Sequence, residues 1–351
     1  MKNNPFSLDF GGKPKLFISR MREMDRIIST FLSPVPSAHM FMILGARGNG
    51  KTVLMSAATE KLLEDNRWIH VDLSPESDMM HSLAASLYQK SRKQFSKLKL
   101  DVKIDLKIAS IGISSDNDER YSSAYTDIDA MLEQLNEKSI NLLITIDEAV
   151  NSKSVREFTI YFQHCIREGY RVFLLMTGLY KNIRALQNNK TQTFLKRSPR
   201  IVIAGLHKTR IADEYREVFG ISEKEAQEMS DHTCGYSYAF QILGYLVFEY
   251  GKRKVTPKIL KEYRLILEEC SYDKIWEELS DKERRVALAA AKAPDNVRVR
   301  DLREELKMES NEFSTYKDTL EKSGVFAASS AYGYVNFALP YIKEYICTKE
   351  L

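Results

Sequence analysis

Apolar residues fall in short unbroken runs over the first two hundred positions and at helical spacing beyond them. The runs Met40–Leu44, Trp68–Leu73, Ile140–Ile146, Val172–Met176 and Ile201–Ala204 read as strands. Helical patterns lie over Arg22–Phe31, Lys51–Glu64, Asp78–Lys93, Tyr125–Asn136, Val155–Glu168 and Tyr180–Leu186. Apolar strands followed by helices predict βα units with a parallel sheet covered on both faces. One stretch breaks the rhythm. Within Phe95–Ser115, from Leu98 to Ile108, apolar residues alternate strictly with Lys and Asp, the pattern of a half-solvated edge strand or hairpin. Between Lys90 and Lys107 there are seven Lys or Arg against two Asp, a surplus that suits either a protected strand edge or a contact with nucleic acid or a partner.

From His207 the pattern is helical. Ile211–Phe219, Ser222–Ser230, Tyr238–Tyr250 and Lys258–Glu269 are amphipathic, and Ser222 with Glu225 has the spacing of a capping box. A further helix starts at Ser280-Asp281-Lys282-Glu283, followed by Val299–Leu306 and Asn311–Lys322. Gly324, a run of small residues, Tyr332-Gly333-Tyr334 and the alternating Val335–Leu339 then suggest a two-stranded ribbon. Three short helices and a ribbon form a winged helix-turn-helix pattern. The expected division is an α/β core over 1–206, a helical domain over 207–270 and a winged helix-turn-helix over 271–351.

Composition narrows the class. The chain has 351 residues, is 44% apolar and carries 52 basic against 48 acidic residues, a net +4. It is neither disordered nor collagen-like, and the balance of charge names no partner. Its cysteines, Cys165, Cys234, Cys270 and Cys347, are scattered without metal-binding spacing, which favours a reducing cytoplasm over a disulfide scaffold. No signal-like start and no apolar run long enough to span a bilayer are seen, so neither secretion nor membrane insertion is expected.

The chemistry is concentrated at the first strand's end. Gly45-Ala46-Arg47-Gly48-Asn49-Gly50-Lys51-Thr52 matches G-x-x-x-x-G-K-[ST], with a strand before it and a helix after it. Glycines let the loop turn tightly enough for its N–H groups to surround phosphates. Lys51 can reach the β and γ oxygens, Thr52 can ligate Mg²⁺, and the helix N-terminus adds its positive end. The strand Asn141–Ile146 ends in Asp147-Glu148, two acids that are costly at the rim of a buried strand unless they are used. Asp147 is the expected second holder of Mg²⁺, with Asp72 a weaker competitor, and Glu148 the expected general base towards water. Thr177 ends its strand where it can bond that water or the γ-phosphate, or else cap the next helix.

These residues resemble the AAA+ class of ATPases, in particular the archaeal and bacterial branch related to origin-recognition replication initiators and bordering the STAND signalling ATPases. The resemblance spans nearly the whole chain. Phe17-Ile18-Ser19-Arg20-Met21-Arg22-Glu23-Met24 is similar to the F-V-G-R-x-x-E-L box that lies against adenine, with Ser19 in place of its glycine. By this resemblance Phe17, Ile18 and Arg20, with Gly45, Ala46, Arg47, Gly48, Asn49, Gly50, Lys51, Thr52 and Val53, bind ATP or ADP. Thr177 falls at the first sensor position, and Arg197 or Arg200 resembles the arginine that reaches a neighbouring subunit's γ-phosphate. Gly235-Tyr236-Ser237-Tyr238 occupies the place of the lid motif but has neither its proline nor its arginine, which implies slow or partner-dependent hydrolysis.

The last segment is less decisive. Residues 271–351 hold 13 basic and 15 acidic residues, a net −2, lower than DNA-binding modules usually carry. Asn311, Ser314, Thr315 and Lys317 can serve a groove, while Glu312, Asp318 and Glu321 repel phosphates. Arg298, Arg300, the Ala331–Gly333 tip, and Lys252-Arg253-Lys254 with Lys258, Lys261 and Arg264 offer further cations. The expectation is a Mg²⁺-dependent ATPase that switches an assembly on duplex DNA, in replication, a mobile element or defence, with a homo-oligomer or partner protein completing its site. The alternative is a nucleotide-holding regulatory scaffold whose winged helix binds protein. A small-molecule kinase shares the loop but has no need of a winged helix.

Overall fold

The computed structural model describes residues 3–9, 14–97, 117–251, 253–328 and 333–349. Packing divides the chain into two compact units, one of residues 20–44 and 54–201, the other of 1–19, 45–53 and 202–351.

The first unit is built on a five-stranded sheet. Its strands are β1 (Met40–Leu44), β2 (Trp68–Leu73), β3 (Asn141–Ile146), β4 (Val172–Gly178) and β5 (Arg200–Val202), in the order β2-β3-β4-β1-β5. The β2/β3, β3/β4 and β4/β1 pairs are parallel. Alternation assigns the two faces. Met42, Leu44, Val71, Ile144 and Leu174 share a core with Leu83 and Leu87 of α3 (Met79–Lys97), Ile128 and Leu132 of α4 (Asn117–Glu137), and Phe158 and Phe162 of α5 (Lys153–Arg167). Phe41, Trp68 and Phe173 turn the other way and meet Phe31 of α1 (Met21–Phe31), with ring centroids 4.9 Å apart for Phe31–Phe173 and Trp68–Phe173. With both faces covered, the strands read as unbroken apolar runs.

One sequence expectation changes here, and another is not reached by the described residues. The alternating stretch Leu98–Ile108 lies outside the described residues; Phe95 to Lys97 simply end α3. The polar stretch Gln187–Pro199, expected as a loop after α6 (Tyr180–Gln187), contains a 3₁₀ turn over Lys190–Lys196. Its amides pack inward: fully buried Gln192 accepts from Thr159 Oγ1 at 2.7 Å and donates to the Arg156 carbonyl at 3.0 Å, while Gln187 donates to the Leu195 carbonyl at 2.8 Å. Buried amides with partners cost little, so polarity alone did not mark these positions as exposed.

The second unit is helical, and its sequence signals its starts. Ser222 and Glu225 form the expected capping box on α8 (Glu223–Asp231), after α7 (Lys208–Phe219). Ser280 and Glu283 form another on α12 (Asp281–Lys292), and Thr256 caps α10 (Pro257–Leu267) with proline at its first position. Between them lie α9 (Ser237–Glu249), a π turn at Glu268–Tyr272 and α11 (Asp273–Glu277), so the helix expected to stop at Glu269 runs on to Glu277. The core is aromatic, with Phe6, Tyr215, Phe240, Tyr263, Tyr272, Phe313 and Phe326 all buried. Phe6 lies where a side chain at Gly244 would be, 2.4 Å from its ideal Cβ, which fastens the N-terminal segment to α9.

The last stretch has α13 (Val299–Leu306), α14 (Ser310–Ser323) and α15 (Ile342–Cys347), the last of which the sequence did not announce. β6 (Val297–Arg298) pairs antiparallel with β7 (Tyr334–Val335), and Phe326 bridges Phe337, also antiparallel. Residues 329–332 at the expected wing tip lie outside the described ones. Among the described residues no helix is long and apolar enough to cross a membrane.

Candidate functional site

β1 opens at Leu44 into the glycine-rich loop, and α2 (Lys51–Leu63) starts at the lysine. Gly48 and Gly50 have φ of +74° and +86°, a region where any Cβ is strained. Gly45 approaches the main chain of Ile203 so closely that a Cβ would sit 3.0 Å from its carbonyl oxygen. Lys51 is only 6% exposed, and its Nζ donates to the Gly45 and Ala46 carbonyls at 3.2 and 3.0 Å. An ammonium is therefore held within the loop at a helix N-terminus, where the first N–H groups have no intrahelical acceptor. That donor set fits phosphate oxygens.

The loop is gripped from outside by residues the motif does not contain. Tyr236 Oη donates to the Arg47 carbonyl at 3.1 Å, Ser237 Oγ donates to the Asn49 carbonyl at 3.2 Å, and the Tyr238 N–H donates to the Gly48 carbonyl at 3.1 Å. Arg47 pairs with Glu278 at 2.9 Å, and Gly324 lies so near Ala46 that a Cβ on it would be 2.4 Å from the alanine's. The sequence singled out Tyr236-Ser237-Tyr238 only as a departure from a lid motif. Glu278 and Gly324 carried no signal, since they are far from the loop along the chain.

In the sheet unit, β4 lies between β1 and β3, with Leu44 opposite Gly178, Ile43 opposite Thr177, and Ile146 opposite Met176. Asp147 and Glu148 follow β3 directly. The fully buried Thr177 hydroxyl donates to the Asp147 carboxylate and accepts from the Glu148 N–H at 2.9 Å, while Ala149 N–H donates to the Thr177 carbonyl at 2.9 Å. Glu148 has φ +51°, uncommon for a residue with a Cβ, and these bonds hold it there. Thr177 does not cap α6, whose N-cap is Leu179 with no side-chain bond; its hydroxyl orders the two acids instead. Asp147 is half-buried and Glu148 exposed. Asp72, the weaker metal candidate, accepts from Thr145 Oγ1, which accepts in turn from His70 Nε2 at 2.8 Å. Burial, with Lys90 adding to it, takes the His70 pKa down from 6.5 to about 4.

The other expected residues are spread more widely. Phe17 and Ile18 are partly buried, and Ile18 packs on the helical core, where the neighbouring Leu16 carbonyl accepts from Gln241 at 2.8 Å. Arg20 stands at the N-cap of α1, its pKa lowered by burial against the pull of Glu23. Arg197 and Arg200 are both exposed beside the 3₁₀ turn; Arg200 donates to the Lys196 carbonyl at 3.4 Å. On α14 the cations are engaged by neighbouring acids: Lys317 pairs with Glu321, Lys322 with Asp318, and Lys282 of α12 reaches Glu312 at 2.8 Å. Lys258 and Arg264 lie over the Tyr250 and Tyr341 rings, and Arg300 is near Asp301 and Glu304. Lys252 lies outside the described residues.

Comparison with known proteins bears on the fold. Residues 270–346 match a family model described as a domain of unknown function, DUF8462. No curated protein matches the chain. Among solved structures, the Walker-type ATPase PABY2304 of Pyrococcus abyssi has 14% identity and a TM-score of 0.66, covering 95% of this chain and 96% of that one. The Aeropyrum pernix ORC2 protein, in ADPNP–ADP complexes, has 13% identity and a TM-score of 0.64, covering 96% of each. Cdc6p from Pyrobaculum aerophilum has 16% identity and a TM-score of 0.50, covering 99% of this chain and 98% of its own. Over most of its length, and at low sequence identity, the chain thus shares the fold of these three structures, a parallel-sheet core with flanking helices.

Proposed function

We propose that this chain is a Mg²⁺-dependent ATPase, converting ATP and water to ADP and phosphate, whose nucleotide state switches a DNA-associated assembly in the cytoplasm. One observation carries the reading: a complete phosphate-loop motif with its lysine buried at a helix N-terminus. In this reading Gly45 to Val53 cradle the phosphates, Lys51 leaves the loop carbonyls for the γ-phosphate, and Phe17, Ile18 and Arg20 lie on the adenine side. Thr52 and Asp147 would hold Mg²⁺, which neutralises charge on the β and γ oxygens when bound. Among the described residues no group of three or more His, Cys, Asp or Glu is arranged to hold a metal. A sparse oxygen donor set suits Mg²⁺, which takes its remaining ligands from phosphate and water.

Glu148 orients the attacking water and accepts its proton, and the Thr177 hydroxyl holds the turn that presents it. Arg197 or Arg200 of a second copy supplies positive charge to the γ-phosphate, so assembly controls turnover. Residues 271–351 act as a winged helix-turn-helix; the antiparallel β6/β7 and Phe326–Phe337 pairings support that reading. Duplex DNA is the partner in this reading, as the sequence resemblance to replication initiators implies.

The ion pairs on α14 favour a second reading, a nucleotide-holding scaffold whose C-terminal module binds protein. Lys317 and Lys322 are neutralised by acids on their own helix, which leaves little charge for a phosphate backbone. Steady-state ATP hydrolysis at about 0.1 M salt, with and without duplex DNA, separates the two. Turnover that DNA raises and Glu148→Gln abolishes supports the DNA-coupled switch. Tight nucleotide retention with no turnover above that mutant overturns it in favour of the scaffold.

A further inference from the structure

The carbonyls of Arg47, Gly48 and Asn49 all accept bonds from three consecutive residues, Tyr236, Ser237 and Tyr238. The peptide bonds are trans, so each amide N–H points opposite to the carbonyl it shares a plane with. Fixing the Arg47 and Asn49 carbonyls towards Tyr236 and Ser237 therefore turns the Gly48 and Gly50 N–H groups the other way. The Tyr238 N–H is one of the first in α9 and finds its acceptor on the loop, so the loop also caps that helix.

Tyr236 is central to this arrangement. It is 2% exposed, and an ideal Cβ on Gly48 would lie 2.1 Å from its Oη. Because the Arg47 carbonyl can only accept, Tyr236 donates to it, and the Ser271 hydroxyl at 2.8 Å donates to Tyr236. Ser271 is itself buried and sits in the π turn between α10 and α11, an irregular turn of a kind that recurs at functional sites.

We propose that the Tyr236 hydroxyl is the positioning group for the phosphate loop, and that it transmits nucleotide binding to the C-terminal helices through Ser271. This rests on the nucleotide-binding reading above. It replaces the arginine readout that Gly235-Tyr236-Ser237-Tyr238 lacks with a main-chain one: phosphate engages the loop N–H groups on one side, and the lid reads the carbonyls on the other.

The test titrates the full chain with a fluorescent ATP analogue and Mg²⁺, and measures hydrogen exchange over residues 271–306 with and without ATP. Wild type should bind and Lys51→Ala should bind on the order of 100-fold more weakly; a wild type that fails to bind overturns the nucleotide reading and this proposal together. Tyr236→Phe, which removes only the hydroxyl, should weaken binding by roughly five- to tenfold. It should also abolish the ATP-dependent change in exchange that wild type shows. Ser271→Ala should lose that exchange change too, and it carries the test if Tyr236→Phe does not fold. A merely structural tyrosine would lower the melting temperature equally with and without ATP and leave the exchange difference intact. That result, or wild-type affinity in both variants, overturns the proposal while the nucleotide reading stands.

Discussion

In the sheet unit a side-chain hydroxyl, that of Thr177, orders Asp147 and the Glu148 amide at the end of β3. In the helical unit the neighbouring segment grips the main-chain carbonyls of residues 47–49. The difference has a physical source. A parallel strand spends its own main-chain groups on the ladder up to its last residue, so the acids beyond it need a side chain to fix them. The glycine-rich loop has no ladder, so its carbonyls find their partners on another segment and its amides are left facing the other way. A loop held this way tolerates change in its side chains better than change in its backbone freedom, whereas the strand tip is sensitive to a single hydroxyl.

The exception to that rule is Lys51, and it gives the largest expected effect. Lys51→Ala should weaken nucleotide binding on the order of 100-fold by titration calorimetry. Unchanged affinity would mean that this loop is not the phosphate site. Backbone freedom comes next. Gly48→Ala places a Cβ on the Tyr236 hydroxyl at φ +74° and should cost about 3 kcal/mol in urea unfolding. Gly169→Ala, at φ +79° with nothing within 4 Å, should cost only about 1 kcal/mol, and equal costs would remove the special status of the loop.

The strand tip answers to Thr177→Val, which keeps the shape but leaves the Asp147 carboxylate and Glu148 N–H without their shared partner. A loss of about 2 kcal/mol is expected in the same assay, and a neutral result would show that the turn is ordered by its backbone after all. Acid should act on the sheet unit through His70. Its folded pKa is about 4 against 6.5, so the unfolded chain takes up a proton first. The neutral ring's contribution is intact above pH 6.5 and is lost as pH falls towards 4, amounting to about 3 kcal/mol. A urea-midpoint series should show that slope in wild type and not in His70→Gln. The smallest effect belongs to Glu278→Gln. The partly exposed Arg47–Glu278 pair should contribute about 0.5 kcal/mol or less and fade with added salt.

The sequence by itself determined the local architecture. Five apolar runs became five strands because burial on both faces demands unbroken hydrophobicity, and Ser222 and Ser280 became caps because helix N-terminal amides need an acceptor within three residues. Glycine spacing marked the tight turn after β1 for the same reason: backbone freedom is written directly in residue type. Where an outcome depended on residues distant along the chain, the sequence was silent or misleading. Gln187 and Gln192 looked solvent-bound until burial gave their amides partners. Thr177 was readable as a cap until the β3–β4 register set its hydroxyl beside Asp147. Tyr236 was visible only as the variable position of a motif whose proline and arginine are missing, and its bond to the loop joins residues 189 positions apart in sequence. Hydrophobic period and turn chemistry act over a few residues and survive in one dimension. The partner of a buried polar group is chosen only when chain closure brings two distant segments together, and that choice belongs to the tertiary structure.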